Sequence, residues 1–591
     1  MTSAGTGPRV GTSERWLLAA AAVAVAFAAA DTYVVVLALP DMMVGAGLSA
    51  DELQRAAPIV SGFLLGYVAM LPLIGRIADL RGRLPVLVAS LVVFALGSLI
   101  TAAAYDLPSM VTGRFLQGVG GGGLVPATLA LVADLYPPHR RGVPLGIVGA
   151  VQEIGSVLGP LFGAVVLAVA DWEAIFWLNL AVGLVLAAAV RAVGRRSVVA
   201  DDVARGRPDV LGAAALAVAL AALVLVLQQP AGLTRDVTLG LPFVPFAGSS
   251  RWFSPLGVVL VLATAAFVHR CLVARRPLVD LRAWYAAARS ADLIGAALLA
   301  LVLGGVILAF ATADPEVQVF SPAGEWFLIG AGVVLVLLVV HQRRAREPLV
   351  PHAALARTPA WGSLLVSFFV GAALIAALVD IPVFARITVH PDSQLDAALV
   401  LLRLLVALPV GAVLGGYASR ALPVGAITAF GMALSTVGFA WMSTWGPTSL
   451  AEWVATVPLV LTGLGFGLAL APVNAALLAT TADAVHGVAS ALLVVARMVG
   501  MLVGISALTT IGLRRYYAVQ DGIPSPRALC DGASRCDAFT DALREAGIAQ
   551  LEAVFLGAAV CAAVAGILAL VLLRGAPTRA GAAVPTPGAW T

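Results

Sequence analysis

The amino-acid sequence predicts an all-α protein that crosses a membrane many times. Of the 591 residues, 61% are hydrophobic and only 12% are charged, a balance that water-soluble domains do not carry. Apolar runs recur along the whole chain, and at about 20 residues each can cross the roughly 30 Å hydrocarbon core of a bilayer. Because these runs are continuous rather than alternating, and because lipid satisfies no backbone polar group, they are predicted to be helices.

Sixteen apolar stretches are predicted as membrane helices, in three groups. The first six cover residues 16–40, 53–75, 84–104, 109–134, 142–168 and 172–192. Four more cover residues 209–228, 255–273, 289–312 and 325–342. The last six cover residues 358–386, 395–420, 422–443, 452–478, 484–513 and 549–574. The first stretch is too long for the core of a cleaved signal peptide and is expected to remain as a span.

These groups predict how the chain is organised. We expect an N-terminal six-helix bundle over residues 1–192, and then a central linker over residues 193–357 with about four inserted membrane helices. A C-terminal six-helix bundle over residues 358–574 follows, and residues 575–591 form a cytoplasmic tail. The C-terminal bundle contains a long outside loop over residues 514–548.

The two six-helix groups repeat each other. Arg141-Gly142-Val143 opens the fifth helix, and His486-Gly487-Val488 opens its counterpart in the last group. Gly155 and Gly159 correspond in the same register to Gly500 and Gly504. Parallel repeats of this kind predict a transporter that rocks, with a substrate site at the repeat interface near the middle of the membrane.

All 36 basic residues are arginine, because the sequence contains no lysine. A phosphate-binding P-loop and a Schiff-base enzyme both need lysine, so ATP-driven transport and that covalent chemistry are excluded. The arginines lie in short loops rather than on one basic face, which argues against nucleic acid as a partner. Most of them fall on one side of the predicted spans, which predicts a multi-pass protein of the plasma (inner) membrane with both termini cytoplasmic.

The loop between the second and third predicted helices carries a transporter motif. It reads Gly75-Arg76-Ile77-Ala78-Asp79-Leu80-Arg81-Gly82-Arg83 and resembles the signature cytoplasmic loop of the major facilitator superfamily. The resemblance implies the major facilitator fold and an inner latch that breaks as the bundles rock. Its gating residues are Gly75, Asp79, Arg81, Gly82 and Arg83. The alternative is a turn that only carries inside-positive charge.

A degenerate copy of this loop stands at the corresponding point of the second bundle. It reads Gly415-Gly416-Tyr417-Ala418-Ser419-Arg420, so a serine replaces the acid. We therefore expect an asymmetric latch that is dominated by Asp79.

Further motifs resemble those of exporters in the same superfamily. The segment from Arg114 to Gly120 resembles a motif whose buried arginine is associated with proton coupling, and the segment from Asp31 to Pro40 resembles the first-helix motif of the 14-helix drug/proton antiporters. The fifth helix resembles the antiporter motif at Gly146, Gly155, Gly159, Pro160 and Gly163. The alternative for these glycines is helix packing alone.

Four segments narrow the resemblance. These segments are Asp31–Val36, Gln152–Pro160, Ala407–Val413 and Val494–Met501. All four resemble mycobacterial exporters of triacylglycerides that work with a periplasmic lipoprotein. The similarity covers both six-helix bundles but not the extra helix pair, which is part of the four-helix insertion predicted over residues 193–357. It implies lipid export with associated multidrug resistance, and a periplasmic lipoprotein as partner.

Ionisable residues inside the predicted spans cost about 2.5–3.5 kcal/mol each when they are unpaired. They are Asp31, Arg114, Glu153, Asp380, Arg403 and Arg497. Counting along each helix makes Asp31 and Arg114 one candidate pair, and Glu153 and Arg497 another. For all but Arg403 we expect a role in proton coupling and transport, in which a carboxylate alternates between ion-paired and protonated states. The alternative is a permanent ion pair that orients helices.

The loop over residues 514–548 is too long for a turn. From Asp537 to Glu552 it interleaves charged and apolar residues, so the last helix is expected to begin outside the bilayer. Cys530 and Cys536 lie on the oxidising side of the membrane, where they can form a disulfide.

The sequence as a whole predicts a proton-coupled secondary exporter of hydrophobic or amphipathic molecules, working by alternating access. A non-transporting membrane scaffold or sensor with the same fold is the alternative, and the intact Asp79 loop argues against it. No enzymatic activity, metal site or cofactor is expected, because no catalytic constellation or metal-ligand spacing appears in the sequence.

Overall fold

A computed structural model describes residues 12–48, 53–197, 209–236, 238–311, 323–351, 354–391, 393–530 and 536–578. Within these ranges the chain is helical and forms no strand. The first group of helices is α1 (Thr12–Gly45), α2 (Leu53–Arg81), α3 (Arg83–Ala102), α4 (Leu107–Leu135), α5 (Gly142–Leu167) and α6 (Glu173–Ser197). The middle group is α7 (Val210–Gln228), α8 (Ala231–Thr234), α9 (Pro255–Val273), α10 (Leu281–Ser290), α11 (Leu293–Ala311) and α12 (Gly324–Arg344). The last group is α13 (Thr358–Thr388), α14 (Gln394–Ala418), α15 (Val424–Met442), α16 (Thr456–Thr480), α17 (His486–Gln520), α18 (Pro526–Leu529) and α19 (Asp537–Leu572).

Each of the sixteen predicted stretches overlaps a helix, and the predicted all-α multi-pass fold is confirmed. In the described part of the chain, 14 helices are long and apolar enough to cross a membrane. One more candidate span is a bent pair, in which α10 and α11 meet at 72°. The predicted number of about 16 segments is therefore approximate.

Local sequence explains where the helices begin. Asp106 precedes α4 and its Oδ1 accepts a hydrogen bond from the backbone N–H of Ser109 at 2.9 Å, while the Ser109 hydroxyl lies 3.4 Å from the Asp106 amide. This reciprocal capping box satisfies N–H groups that have no partner within the helix.

The helices pack as two bundles with the same internal arrangement. In the first bundle α1 packs against α5, α2 against α4, and α3 against both α4 and α6. In the second bundle α13 packs against α17, α14 against α16, and α15 against both α16 and α19. The bundles meet along two seams, one formed by α2 with α17 and the other by α5 with α14.

Glycines allow the backbones of α1 and α5 to touch. A Cβ atom added to Gly155 or Gly159 would overlap the carbonyl oxygen of Ala26 or Ala30, respectively. The other glycines of the antiporter motif are also in contact, Gly163 with Val34 of α1, and Gly146 with Ala412 of α14 across the seam. Pro160 lies within α5, and its side chain is outside the described part of the structure.

The second bundle uses glycines in the same register. Gly500 of α17 faces the carbonyl oxygen of Phe368, and Gly504 faces the backbone of Ala372, both in α13. Close backbone approach through small residues is how helices associate in lipid, where no hydrophobic effect drives them together.

The loop predicted over residues 514–548 is shorter in the structure. Helix α17 continues to Gln520 and α19 already begins at Asp537, so much of the predicted loop is helical. These helices have 35 and 36 residues, and at about 1.5 Å per residue both exceed a roughly 30 Å hydrocarbon core. A disulfide joins Cys530 to Cys536, with their Cα atoms 5.6 Å apart.

Two glycines of α4 test whether close helix contact limits stability. A Cβ atom at Gly118 would overlap the backbone of Phe63 and Tyr67 in α2, whereas at Gly121 the nearest atom is the Cβ of Ala28 at 3.5 Å. We expect Gly118→Ala to lower the free energy of unfolding by about 1–3 kcal/mol through overpacking. The matched control Gly121→Ala should be neutral or stabilising by up to about 1 kcal/mol, because alanine favours helix. Equal thermal unfolding midpoints for the two purified variants would contradict this account of the packing.

Candidate functional site: a central cavity and an interbundle latch

A cavity of about 290 Å³ lies between the two bundles. Its walls come from α1, α2, α4 and α5 of the first bundle, from α13 and α17 of the second, and from α11. Most of the lining is apolar, and two methionines, Met498 and Met501, contribute to it. The charged and polar side chains on its wall are Thr32, Tyr67, Arg114, Gln152, Glu153, Ser156 and Arg497.

A second, smaller cavity of about 30 Å³ shares Gln152, Glu153 and Arg497 with the first. Its other lining residues include Leu145, near the start of α5, and Asn474 of α16. The shared residues therefore separate a wide cavity from a narrow one that lies closer to the beginning of α5.

Glu153 and Arg497 face the same cavities from opposite bundles. Arg497 acts on Glu153 through space without a direct ion pair, and the Glu153 carboxylate has no hydrogen-bond partner among the described residues. The candidate pair from the sequence is thus near in space but not in contact. An unpaired carboxylate in an apolar cavity is costly, so this position is poised either to take up a proton or to pair with the arginine.

Asp31 and Arg114 are in direct contact, as their depth in the sequence suggested. The Arg114 Nη1 atom donates to the Asp31 Oδ2 atom at 2.8 Å, and both residues are buried. Arg114 also stacks on the ring of Phe63, with its Cζ atom 4.5 Å from the ring centroid. Arg114 reaches the cavity wall, whereas Asp31 lies behind it.

Two amides complete the surroundings of Asp31, and sequence reasoning missed both. The Asn179 side chain of α6 donates from its Nδ2 atom to the Asp31 Oδ1 atom, and the Gln117 Nε2 atom donates to the same oxygen at 3.5 Å. Gln117 also donates to the Ser98 hydroxyl at 2.9 Å. Asn179 could have been noticed, because it interrupts the apolar stretch of residues 172–192.

A carboxylate of the first bundle caps a helix of the second. The Asp79 Oδ1 atom accepts from the Gly487 N–H at 2.7 Å, and Oδ2 accepts from the Val488 N–H at 2.9 Å. Both amides belong to the first turn of α17, whose N–H groups have no partner within their own helix and carry the positive end of its dipole. Gly75 packs against the Gly487 backbone beside this contact. We call this side of the molecule the latch end.

Arginines extend the latch to neighbouring helices. Arg83 pairs with Asp79, lies 3.3 Å from the Asp134 carboxylate and donates to the Asp483 carbonyl oxygen at 3.3 Å. Arg141 donates across the bundles to the Leu478 carbonyl oxygen at 2.9 Å. Burial lowers the pKa of Arg141 from its usual value, and the carboxylates of Asp483 and Asp134 oppose that shift.

The corresponding position in the second bundle lacks this contact. Ser419 lies against Gly142 at the start of α5, but its hydroxyl donates to the Gly416 carbonyl oxygen at 2.8 Å. The second seam is closed by backbone contact between Gly142 and Gly416 instead. A side-chain cap of the Asp79 type is therefore present at one seam and absent from the described residues of the other.

The remaining predicted site residues lie outside these networks. Gly82 joins α2 to α3 with φ at +94°, a conformation that favours glycine, and Arg81 stacks on Trp284 of α10 at 5.3 Å. Asp380 is half-buried in α13, lines neither cavity and has no hydrogen-bond partner among the described residues. Arg403 donates to the Thr456 hydroxyl at 3.1 Å.

Known proteins resemble the chain over most of its length. Residues 21–505 match the profile of the Major Facilitator Superfamily. A triacylglyceride transporter of Mycobacteroides abscessus is 34% identical over 519 residues, which cover 86% of this chain and 84% of that protein. A triacylglyceride transporter of Mycolicibacterium smegmatis is 32% identical over 575 residues, which cover 94% of this chain and 87% of that protein.

One solved structure supports the fold independently. The human organic anion transporter MFSD10 (TETRAN) superimposes with a TM-score of 0.51 at 14% identity, covering 94% of this chain and 99% of that one. The resemblance drawn from the motifs is thus confirmed at the level of the family and of its curated relatives. The two repeated bundles, the cavity between them and these matches together establish that the chain belongs to the Major Facilitator Superfamily of transporters.

Proposed function

We propose that this transporter is a proton-coupled secondary exporter of hydrophobic or amphipathic molecules, lipids such as triacylglycerides or drugs. The observation that carries the proposal is Glu153, a carboxylate without a partner among the described residues, on the wall of an apolar cavity between the bundles. The names of the mycobacterial relatives favour a triacylglyceride as cargo.

The cavity lining suits an apolar cargo of variable shape. Met498 and Met501 have flexible, polarisable side chains that adapt to irregular surfaces, and Leu374, Leu378 and Ile505 supply apolar area around them. Few polar groups are available to fix one orientation of a ligand, which favours bulky apolar molecules over sugars or amino acids.

Glu153 is the proposed proton carrier. When Glu153 is charged, the attraction of Arg497 across the cavity offsets only part of the cost of burial, and when Glu153 is protonated that attraction is lost. A cargo that lies between Glu153 and Arg497 would weaken their attraction and so favour protonation of Glu153. Binding of the cargo and binding of the proton would therefore be linked. Asp31 accepts hydrogen bonds from Arg114 and Asn179 within a buried network, and this favours a role in holding α1, α4 and α6 together.

The latch end is proposed to face the cytoplasm, in the plasma (inner) membrane, with both termini on that side. Arginines concentrated in the loops of this end support the orientation. Because Asp79 closes this end while the main cavity lies beyond Glu153, the structure corresponds in the proposed cycle to the state closed towards the cytoplasm.

The extended ends of α17 and α19 would then project on the periplasmic side. Tyr516 and Tyr517 lie near the end of α17 with their ring centroids 5.6 Å apart, and the Cys530–Cys536 disulfide lies in the connection between α17 and α19. We propose that this pair shields an apolar cargo as it leaves the membrane or binds a periplasmic lipoprotein. An ordinary solvated connection is the competing explanation.

Coupling is tested in liposomes that contain the purified transporter, a fluorescent triacylglyceride and an imposed pH gradient. We expect Glu153→Gln to abolish gradient-driven lipid transport without loss of stability, because the amide keeps the shape but cannot titrate. Asp31→Asn should also abolish transport but should lower the free energy of unfolding by about 3–5 kcal/mol, since it leaves the Arg114 charge buried without its partner. Glu452→Gln, at an exposed carboxylate, is the matched control. Wild-type, gradient-dependent export by Glu153→Gln would refute the proton role.

The latch is tested by Asp79→Asn, with Ser419→Ala in the second bundle as control. Weaker capping of α17 should shift the population towards the state open at the latch end by about 1–3 kcal/mol, or about 5- to 150-fold. Double electron–electron resonance between nitroxides at positions 140 and 422, one on each bundle, reports this shift. An Asp79→Asn distance distribution that matches both wild type and the control would rule out the latch.

The projecting helix ends are tested by replacing residues 516–545 with a short flexible linker. The variant should insert and remain stable, yet lose more lipid export than export of a small amphipathic drug, because the drug can cross water and the lipid cannot. Cys530→Ser with Cys536→Ser keeps the helix ends and serves as control. Equal retention of lipid export and drug export would contradict both proposed roles of this region, lipid shielding and partner binding.

A further inference from the structure

Helix α11 is inserted between the two bundles in sequence and also in space. It packs against α2 of the first bundle and α17 of the second, and so covers the seam between them. Every side chain from Leu293 to Ala311 is apolar, so the helix can sit against lipid on one side and against the bundles on the other. Ile294 and Leu301 are exposed, whereas Leu303 and Ile307 are buried.

The central cavity uses this inserted helix as part of its wall. Ile307 is 1% exposed and lines the cavity, although it belongs to neither six-helix bundle. Leu303 belongs to the same apolar cluster as residues of the first bundle, and Leu299 packs against that cluster. At Gly304 an added Cβ atom would lie 3.2 Å from the Leu65 side chain of α2. Helix α11 therefore forms the wall of this part of the cavity on the side away from the two bundles.

The two seams are closed in different ways. Between α5 and α14 the backbones touch, with Gly142 against Gly416 and Gly146 against Ala412. Between α2 and α17 a comparable backbone contact, Gly75 against Gly487, lies at the latch end. Beyond that point α11 covers the seam with apolar side-chain packing, which can separate in lipid without exposing unpaired polar groups.

The base of α11 is anchored at one residue. Asp292 has φ at +54° and stands at the 72° bend between α10 and α11. Its Oδ1 atom accepts from the Gly295 N–H at 2.9 Å and lies 2.8 Å from the Nε2 atom of His341 at the end of α12. Its Oδ2 atom accepts from the Leu349 N–H at 3.0 Å. These contacts hold α11 and α12 together as a hairpin at its base.

We infer that the α11–α12 hairpin is a lateral gate through which a water-insoluble, uncharged glycerolipid passes directly between the bilayer and the central cavity. Displacement of α11 from α2, with Asp292 as the pivot, would open the cavity to the lipid acyl chains beside Ile307. The cargo would then never cross water, where each buried methylene group costs about 0.8 kcal/mol to expose. The inference rests on the proposed function, since it assigns an entry route to the same cavity.

A reversible cross-link tests the gate. The free cysteines Cys271 and Cys561 are first replaced by alanine. Leu65→Cys and Gly304→Cys are then introduced together and bridged by a short bis-methanethiosulfonate reagent. The bridge ties α11 to α2 but does not join α2 to α17. The variant is placed in phosphatidylcholine vesicles that contain a triacylglycerol with a diazirine on one acyl chain. After illumination, mass spectrometry measures labelling at the cavity residues Met498 and Met501, and at Val333 on the exposed face of α12.

We expect the cross-link to lower cavity labelling at least about tenfold, since access scales with the population of the open gate. Labelling at Val333 should not change, and a reductant should restore the cavity signal. The matched control is Gly305→Cys with Ala331→Cys, whose Cβ positions are 3.1 Å apart and which staples α11 to α12 without fixing the hairpin to the bundle. That control should retain cavity labelling within about twofold of the untreated protein by the same argument.

Two results would overturn the gate. One is cavity labelling that the Leu65–Gly304 bridge leaves unchanged, and the other is the absence of cavity labelling from the protein before cross-linking. Failure of the proposed export function would give a different result. Cavity labelling would still fall when the bridge is formed, but the untreated protein would move no lipid under a pH gradient.

Discussion

The closed end of this transporter depends on one carboxylate. Asp79 accepts hydrogen bonds from the second and third amides of α17, groups that no residue of α17 itself can satisfy. The cap joins the two bundles, and Arg83 holds the carboxylate in place from its own side. With this end closed, the central cavity has a floor at Glu153 and Arg497, and the two seams beyond the latch are left to be covered by other contacts.

Two acidic residues in the first bundle are proposed to have different roles because their surroundings differ. Asp31 is buried among Arg114, Gln117 and Asn179, so its charge is compensated by fixed donors from two helices, α4 and α6. Glu153 faces a cavity and Arg497 from a distance, without a contact among the described residues. A compensated charge orients helices, whereas an uncompensated one responds to protons and cargo, and this contrast underlies the roles proposed for them.

The internal repeat gives the two bundles the same architecture, and the places where the second bundle differs from the first make the transporter asymmetric. Gly155 and Gly500 bring equivalent helix pairs into contact, so the two bundles are built alike. Ser419 stands where the first bundle has Asp79 and makes no interbundle cap, and α11 covers one seam without a counterpart among the described helices at the other. In the proposed cycle both differences fall at the α2–α17 seam, which latches at one end and admits lipid beyond the latch.

The sequence by itself determined the membrane spans, the repeat, the family and the presence of costly charges in the bilayer, because apolar length, motif spacing and helical depth are properties of neighbouring residues. Depth along each helix also brought Asp31 and Arg114 together. Only the tertiary structure decided that Asn179 joins that pair, that Glu153 and Arg497 stay apart, and that α11 covers the α2–α17 seam. In lipid all faces of a helix are apolar, so hydrophobic periodicity does not reveal which face meets which neighbour, and lateral placement is set by packing alone.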